Sequence, residues 1–206
     1  MIAIIDYGVG NLLSIRNMLK KAGYRDAIIS NKEEDIAQAK KLILPGVGHF
    51  DYGMNQLRES TFFDTLNNRV QTDKVPILGI CLGAQLLTQG SEEGELPGLG
   101  WIQARTIRFN SGRIDPSLKI PHMGWGDVKV QKPSKLFENM PEDPRFYFVH
   151  SYHLVCDDPA DELVSCTHGY AFTAGIERGN VLGVQFHPEK SHKFGLQLLS
   201  NFVNHY

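Results

Sequence analysis

The sequence predicts an α/β fold, a mainly parallel open sheet flanked by helices, with additional antiparallel strands in its second half. Three observations carry this. Short apolar runs alternate with helix-length amphipathic segments from Ile2 to Ile80, a pattern that requires crossover connections and a sheet covered on both faces. From Trp101 onward the segments shorten into β-rich runs separated by turn residues. Two apolar runs, Pro76–Ile80 and Val181–Gln185, each deliver a chemically active residue just past their ends, Cys81 and His187. Open α/β sheets place their ligands in that position, beyond the carboxyl edge of the strands.

Taken in order, Ile2–Ile5 reads as the first strand; it is too short for the core of a signal peptide and has no basic leader. Leu12–Lys21 has helical periodicity, opened by Asn11 and closed by Gly23. Ala27–Ser30 is a second strand, Glu33–Ala39 a short helix, Lys41–Leu44 a third strand and Phe50–Val70 one or two helices. Pro76–Ile80 is the fourth strand and runs into an apolar helix. The later strands are Ala104–Phe109, Trp125–Val130, Phe146–Val149, Leu154–Cys156, Leu163–Thr167, Ala171–Glu177 and Val181–Gln185, and Phe194–Val203 closes the chain as a helix. Asn110-Ser111-Gly112 and Glu142-Asp143-Pro144 read as turns inside one domain spanning residues 1–206.

The most informative stretch is Gly79-Ile80-Cys81-Leu82-Gly83. A residue at the tip of a sharp strand-to-helix turn needs small neighbours that let the chain pass closely and leave its side chain exposed. A thiol there also meets the unpaired N–H groups of a helix N-terminus, which favour thiolate. Free cysteines more often serve as small buried hydrophobes, but a second element shifts the balance. In Gln185-Phe186-His187-Pro188-Glu189, His187 supplies a base and acid that works near neutral pH, and Glu189 orients it and stabilises its charged form. Cys81, His187 and Glu189 together make a catalytic triad for nucleophilic attack on a carbonyl. The oxyanion formed in such an attack needs N–H donors: that of Leu82, after the elbow, is one candidate. Val47 and Gly48 in Pro45-Gly46-Val47-Gly48 are the others, since the glycines let that backbone approach a substrate. Gln85, four residues beyond Cys81, falls on the same helix face.

Composition narrows the alternatives. With 21 basic against 23 acidic residues the net charge is −2, which provides no general attraction to nucleic acid or membrane. Cys81, Cys156 and Cys166 are three cysteines with neither disulfide nor zinc spacing, as suits a reducing cytoplasm. No metal and no cofactor is expected. His150 and His153 look like a ligand pair, but their spacing predicts rings on opposite sides of the segment. Gly8 and Gly10 mimic a dinucleotide fingerprint that then lacks its third glycine, with Leu13 in that place.

The triad motifs resemble those of class I (triad-type) glutamine amidotransferases, whose fold is flavodoxin-like. Asp6-Tyr7-Gly8-Val9-Gly10-Asn11, Leu44-Pro45-Gly46-Val47-Gly48, Pro121-His122-Met123-Gly124-Trp125 and Phe146-Tyr147-Phe148-Val149-His150-Ser151-Tyr152 extend the likeness almost end to end. Within that family these segments resemble the glutaminase subunits of imidazole glycerol phosphate synthase. The resemblance implies glutamine hydrolysis, with ammonia passed to a (β/α)₈-barrel synthase partner in a heterodimer. It also implies glutamine contacts at Gly46, Gln85, Glu93, Ser151 and Tyr152, and a partner interface with a gating role at Asn11, His122, Met123 and Trp125. Two positions depart from the pattern, Gly126 where Asn is expected and Ala84 where Met is expected, and Gly98-Leu99-Gly100-Trp101 resembles paralogous subunits that aminate surface-polysaccharide sugars. The acceptor is therefore open between the two. A stand-alone γ-glutamyl hydrolase is a third reading, disfavoured by the Tyr7–Asn11 and His122–Trp125 segments.

Overall fold

A computed structural model describes residues 1–206. The first half runs β1 (Ile2–Ile5), α1 (Leu12–Lys21), β2 (Ala27–Ser30), α2 (Glu33–Gln38), β3 (Lys41–Gly46), α3 (Phe50–Arg58), α4 (Phe63–Gln71), β4 (Ile77–Cys81) and α5 (Leu82–Leu86). The second half contributes β5 (Ala104–Arg108), β6 (His122–Val130), β7 (Arg145–His150), β8 (Tyr152–Cys156), β9 (Glu162–His168), β10 (Tyr170–Arg178) and β11 (Val181–Val184), and ends in α6 (His192–His205). No helix is long and apolar enough to cross a membrane.

All eleven strands join one mixed sheet. Its path is β2-β1-β3-β4-β11-β10-β9-β6-β7, with β8 branching from β10 and carrying β5. The pairings among β2, β1, β3, β4 and β11 are parallel. Those involving the other six strands are antiparallel, so the antiparallel extension is as broad as the parallel part. Period-two alternation divides the parallel strands between two cores. Ile2 and Ile4 join Ile15 and Leu19 of α1 and Leu198 and Phe202 of α6. Ala3 and Ile5 join Ile36 of α2, Met54 of α3 and Leu66 of α4 on the other side. Burial on both faces explains why these strands read as continuous apolar runs.

Several boundaries differ from expectation. The Phe50–Val70 segment is two helices, divided where the Ser60 hydroxyl donates to the Leu57 carbonyl at 2.6 Å and ends the first. Asn11 occupies the start of α1 but its side chain makes no capping bond, because its backbone (φ −96°, ψ 66°) departs from the extended geometry that aims a cap at the first turn. β6 begins at His122 rather than Trp125, since His122–Asp127 pair with Arg145–His150. β4 and β11 lie side by side, Ile80 against Val184. That adjacency brings the residues after both strands to one edge of the sheet.

Candidate active site

Cys81 sits where β4 ends and α5 begins, with φ 54° and ψ −114°, a left-handed backbone that L-residues rarely adopt. Its surroundings enforce the turn. A Cβ at Gly79 would come within 2.8 Å of the Ala84 backbone, and one at Gly83 would overlap the Leu44 carbonyl. The two flanking glycines thus let α5 pack directly on β3 and β4, and Cys81 is turned into a cavity of about 370 Å³.

His187 faces the same cavity from the end of β11. Its backbone N–H donates to the Tyr147 carbonyl at 2.9 Å, and its carbonyl accepts from the Ser191 hydroxyl at 2.6 Å, which in turn accepts from the Tyr147 N–H at 3.0 Å. The ring is fixed as well: Nδ1 lies 2.8 Å from Glu189 Oε1, with both side chains almost fully buried. Burial alone would depress the imidazole pKa, but the hydrogen bonds and negative charges of Cys81 and Glu189 outweigh it and hold His187 up at about 10. Nε2 is buried and closes no hydrogen bond of its own, although Cys81 lines the same cavity and raises its pKa. Such loosely closed pairs are common before substrate binds. Glu189 Oε2 is buried and unpartnered, which leaves its charge unshared with any group but the imidazole.

Val47, Gly48 and Leu82 all line the cavity. Gly48 has φ +102°, a conformation that would strain any side chain. Gly46 packs behind the wall, where a Cβ would come within 2.6 Å of the Tyr7 hydroxyl. That hydroxyl donates to the Pro45 carbonyl at 2.6 Å and pins the start of the segment. Burial, and next the neighbouring Cys81, push the Tyr7 pKa far up, so it remains a donor at any physiological pH.

The predicted glutamine contacts also converge. Gln85, Glu93, Ser151 and Tyr152 line the cavity with Cys81. Glu93 Oε2 accepts from the Phe50 N–H at 2.9 Å, so its carboxylate is anchored on the first turn of α3 with one oxygen left over. Its loop is held by Asp51, which accepts from the Glu95 and Leu96 N–H groups at 3.0 and 3.1 Å. The carbonyls of Ser151 and Tyr152 already accept bonds, from Phe109 N–H at 3.0 Å and His150 Nδ1 at 2.7 Å, so this turn is shaped before any ligand arrives.

His150 and His153 do not point to opposite sides as their spacing suggests. Both rings pack on Phe109, with centroids at 5.2 and 4.8 Å, because the strand breaks at Ser151 between β7 and β8 and resets the alternation. No three His, Cys, Asp or Glu side chains are grouped to hold a metal ion. His122 belongs to the same cluster: it is buried, stacks on His168 at 4.2 Å, and meets His150 Nε2 at 3.2 Å through Nδ1. As a buried residue it is not available for surface contact with a partner. Its strand neighbours alternate outward, with Met123 62% and Trp125 43% exposed, and Asn11 is exposed on the loop before α1. Gly126 has a packing reason, since a Cβ there would lie 2.8 Å from Cys166 Sγ and 3.0 Å from the Phe148 ring. An asparagine does not fit that site as it is packed here.

One polar residue of the site lies outside the sequence expectations. Gln185 is fully buried between Gln85 and Cys81. Its signal was a polar side chain inside the otherwise apolar run Leu182–Phe186.

A family model described as glutamine amidotransferase class-I matches residues 3–206. The chain is 53% identical over 203 residues to imidazole glycerol phosphate synthase subunit HisH 2 of Methanococcus maripaludis, covering 98% of each. It is 54% identical over 203 residues to the subunit HisH 2 of Pseudomonas aeruginosa, again covering 98% of each, and 45% identical to subunit HisH of Leptospira borgpetersenii over 99% of this chain and all of that one. Among solved structures, a chain of PurLQS from Thermotoga maritima superposes with a TM-score of 0.70 at 21% identity, covering 98% of this chain and 97% of that one. That likeness is one of fold.

Proposed function

The chain belongs to the class-I glutamine amidotransferase family, and from that premise we propose that it is the glutaminase subunit of a two-subunit imidazole glycerol phosphate synthase in histidine biosynthesis. Glutamine is hydrolysed to glutamate here, and the ammonia passes to a (β/α)₈-barrel subunit that makes imidazole glycerol phosphate and AICAR. The observation that supports it most is the placing of His187 between Cys81 and the buried Glu189 carboxylate on one cavity wall. Near full-length identity to subunits so named supports the pathway. The whole span 1–206 serves as one glutaminase domain in the cytoplasm.

In this reading the Cys81 thiolate attacks the side-chain carbonyl carbon of glutamine, and the oxyanion is held by N–H groups of Leu82 and the Val47–Gly48 segment. His187 gives its proton to the departing amine, which leaves as ammonia, and a γ-glutamyl thioester remains. The now neutral His187 takes a proton from water as the hydroxide attacks the thioester, so glutamate is released and the thiolate–imidazolium pair is restored. Glu93 holds the substrate's ammonium, with Gly46, Gln85, Ser151 and Tyr152 shaping the pocket. Asn11, Met123 and Trp125 face the barrel.

Gly126 and Ala84 support a second reading of the acceptor. Both depart from the histidine-pathway pattern, and the packing around Gly126 excludes the expected side chain. Two relatives above 50% identity, those of Methanococcus maripaludis and Pseudomonas aeruginosa, are, moreover, each named as a HisH 2. On that reading a paralogous barrel aminates a surface-polysaccharide sugar with the same ammonia.

The test is steady-state glutamate production by the chain alone, with a histidine-pathway barrel subunit, and with that subunit plus an acceptor analogue. Ammonia freed in water is wasted, so turnover should be slow alone and rise at least about 10²-fold in the full assembly, the worth of one oxyanion donor. Activation by a sugar-pathway barrel instead would move the acceptor to the second reading. Full activity of the isolated chain would overturn partner control in favour of a stand-alone γ-glutamyl hydrolase.

A further inference from the structure

Gln185 is fully buried, and burying a primary amide is costly unless its polar atoms are paired. Its two ends touch two different parts of the site. Oε1 accepts from Gln85 Nε2 at 3.0 Å, and Nε2 lies 3.8 Å from Cys81 Sγ, within reach of an N–H···S bond. The orientation of both amides follows from a third group. The Tyr152 carbonyl only accepts, so the Gln85 atom 3.5 Å from it is the NH₂. That same NH₂ faces Gln185, which must answer with its carbonyl oxygen, and the Gln185 NH₂ is then turned onto the sulfur. The Tyr152 carbonyl is itself held by His150 Nδ1 at 2.7 Å. The chain of contacts therefore has one direction, from a fixed backbone carbonyl through two amides to the nucleophile.

We propose that Gln185 is a positioning residue of the glutaminase site: its NH₂ holds the Cys81 sulfur as thiolate at the mouth of the elbow, and its carbonyl holds Gln85 in the glutamine pocket. This rests on the reading of Cys81 as the nucleophile. An N–H donor on sulfur favours the charged form over the neutral thiol. It also ties the state of the nucleophile to the arrangement of the pocket, because moving Gln85 frees the Gln185 amide to rotate away from sulfur. Glu189 and His187 act on Cys81 from the imidazole side, so Gln185 is a second, independent hold on the same atom.

The experiment follows the pH dependence of iodoacetamide alkylation at Cys81, read by mass spectrometry of the peptide. Cys156 and Cys166 do not interfere, since burial is the main cause pushing their thiols up to about 12 and about 11. Gln185→Met removes donor and acceptor at similar length. It should move the Cys81 midpoint up by about one pH unit and slow alkylation at neutral pH about tenfold, with kcat for glutamine falling and KM rising together. A merely structural role would leave the midpoint in place. Gln85→Met is the second arm, and serves if Gln185→Met does not fold: this residue has no bond to sulfur, yet its loss should also raise the midpoint, by less. Unmoved midpoints in folded variants would overturn the role of Gln185. Glutaminase activity persisting in Cys81→Ala would instead overturn the triad reading beneath it, so the two failures are distinguishable.

Discussion

His187 and His150 are both buried imidazoles, 2% and 6% exposed, and both fix a ring nitrogen by a short hydrogen bond. They are driven in opposite directions. His150 loses water and gains the Tyr152 carbonyl and the His122 ring nitrogen but no anion, while His122, His153 and His168 around it oppose a charge; burial leads, and its pKa falls to about 3. His187 suffers the same burial, but Cys81 and Glu189 supply anions within reach and carry it to about 10. Burial sets the cost of a charge in both places, and the presence of a buried partner anion decides whether that cost is met. One region is thereby built to hold a proton. The other is built to stay neutral and hold a loop in shape.

The harshest test of the contrast removes the reactive groups themselves. Cys81→Ala should reduce glutamate production by at least about 10⁴-fold while glutamine binding, followed by calorimetry, persists; His187→Asn should cost a comparable amount. Retained turnover in either would mean the proton-holding region is not the catalytic one. Glu189→Gln is milder, by about two orders of magnitude, because nucleophile and base remain. Its sharper readout is the pH profile. In the proposed mechanism the imidazole must be protonated to expel ammonia, so wild-type turnover should fail as pH rises through about 10. Without the carboxylate that limb should move to lower pH, with Cys81 left as the one group that still raises the imidazole. A limb that stays in place would show that Glu189 is not what holds the proton.

The smallest effect is on stability, and here the two regions should bend the curve at opposite ends. His187 has a raised pKa, so its contribution is present below about pH 6.5 and lost as pH rises through about 10. His150 and His122 are depressed to about 3 and about 4, burial first in each, so the unfolded chain takes up protons that the fold refuses. Their contribution is present above about pH 6.5 and lost as pH falls toward those values. His150→Gln should flatten the acid limb of the unfolding free energy measured by urea titration, and His187→Asn the alkaline limb, each by at most about 1.4 kcal/mol per pH unit. An acid limb untouched by His150→Gln would remove the neutral cluster from the comparison.

The proton-holding region was far more legible in the sequence than the neutral one. Cys81 between two glycines and His187 two residues before Glu189 are local statements, written in contiguous motifs at strand ends, and the cavity gathers Cys81 and His187 together with Val47, Gly48, Leu82, Gln85 and Glu93. The histidine cluster depends on register. His150 and His153 share a side only because the strand breaks at Ser151, and His122 is buried only because β6 starts three residues before Trp125 and alternates inward there. Gln185 lay in full view beside His187, yet its partners, Gln85 and Cys81, are 100 and 104 residues away. Asn11 carried a helix-cap signal whose bond depends on backbone angles that composition does not specify.

What the sequence determined by itself is what short-range physics dictates. Alternating apolar periods require a sheet layered with helices, and an elbow flanked by glycines exposes a thiol at a helix start, with an imidazole and carboxylate two residues apart ready to serve it. Tertiary structure decided everything that needs two distant segments at a defined separation. β4 and β11 had to be neighbours before His187 could reach Cys81. The sign of each histidine's pKa shift, the inward turn of His122 and the direction of the Gln85–Gln185 amide chain then followed from which groups the packed sheet left within about 3 to 4 Å of one another, the range over which hydrogen bonds and charge pairs act strongly.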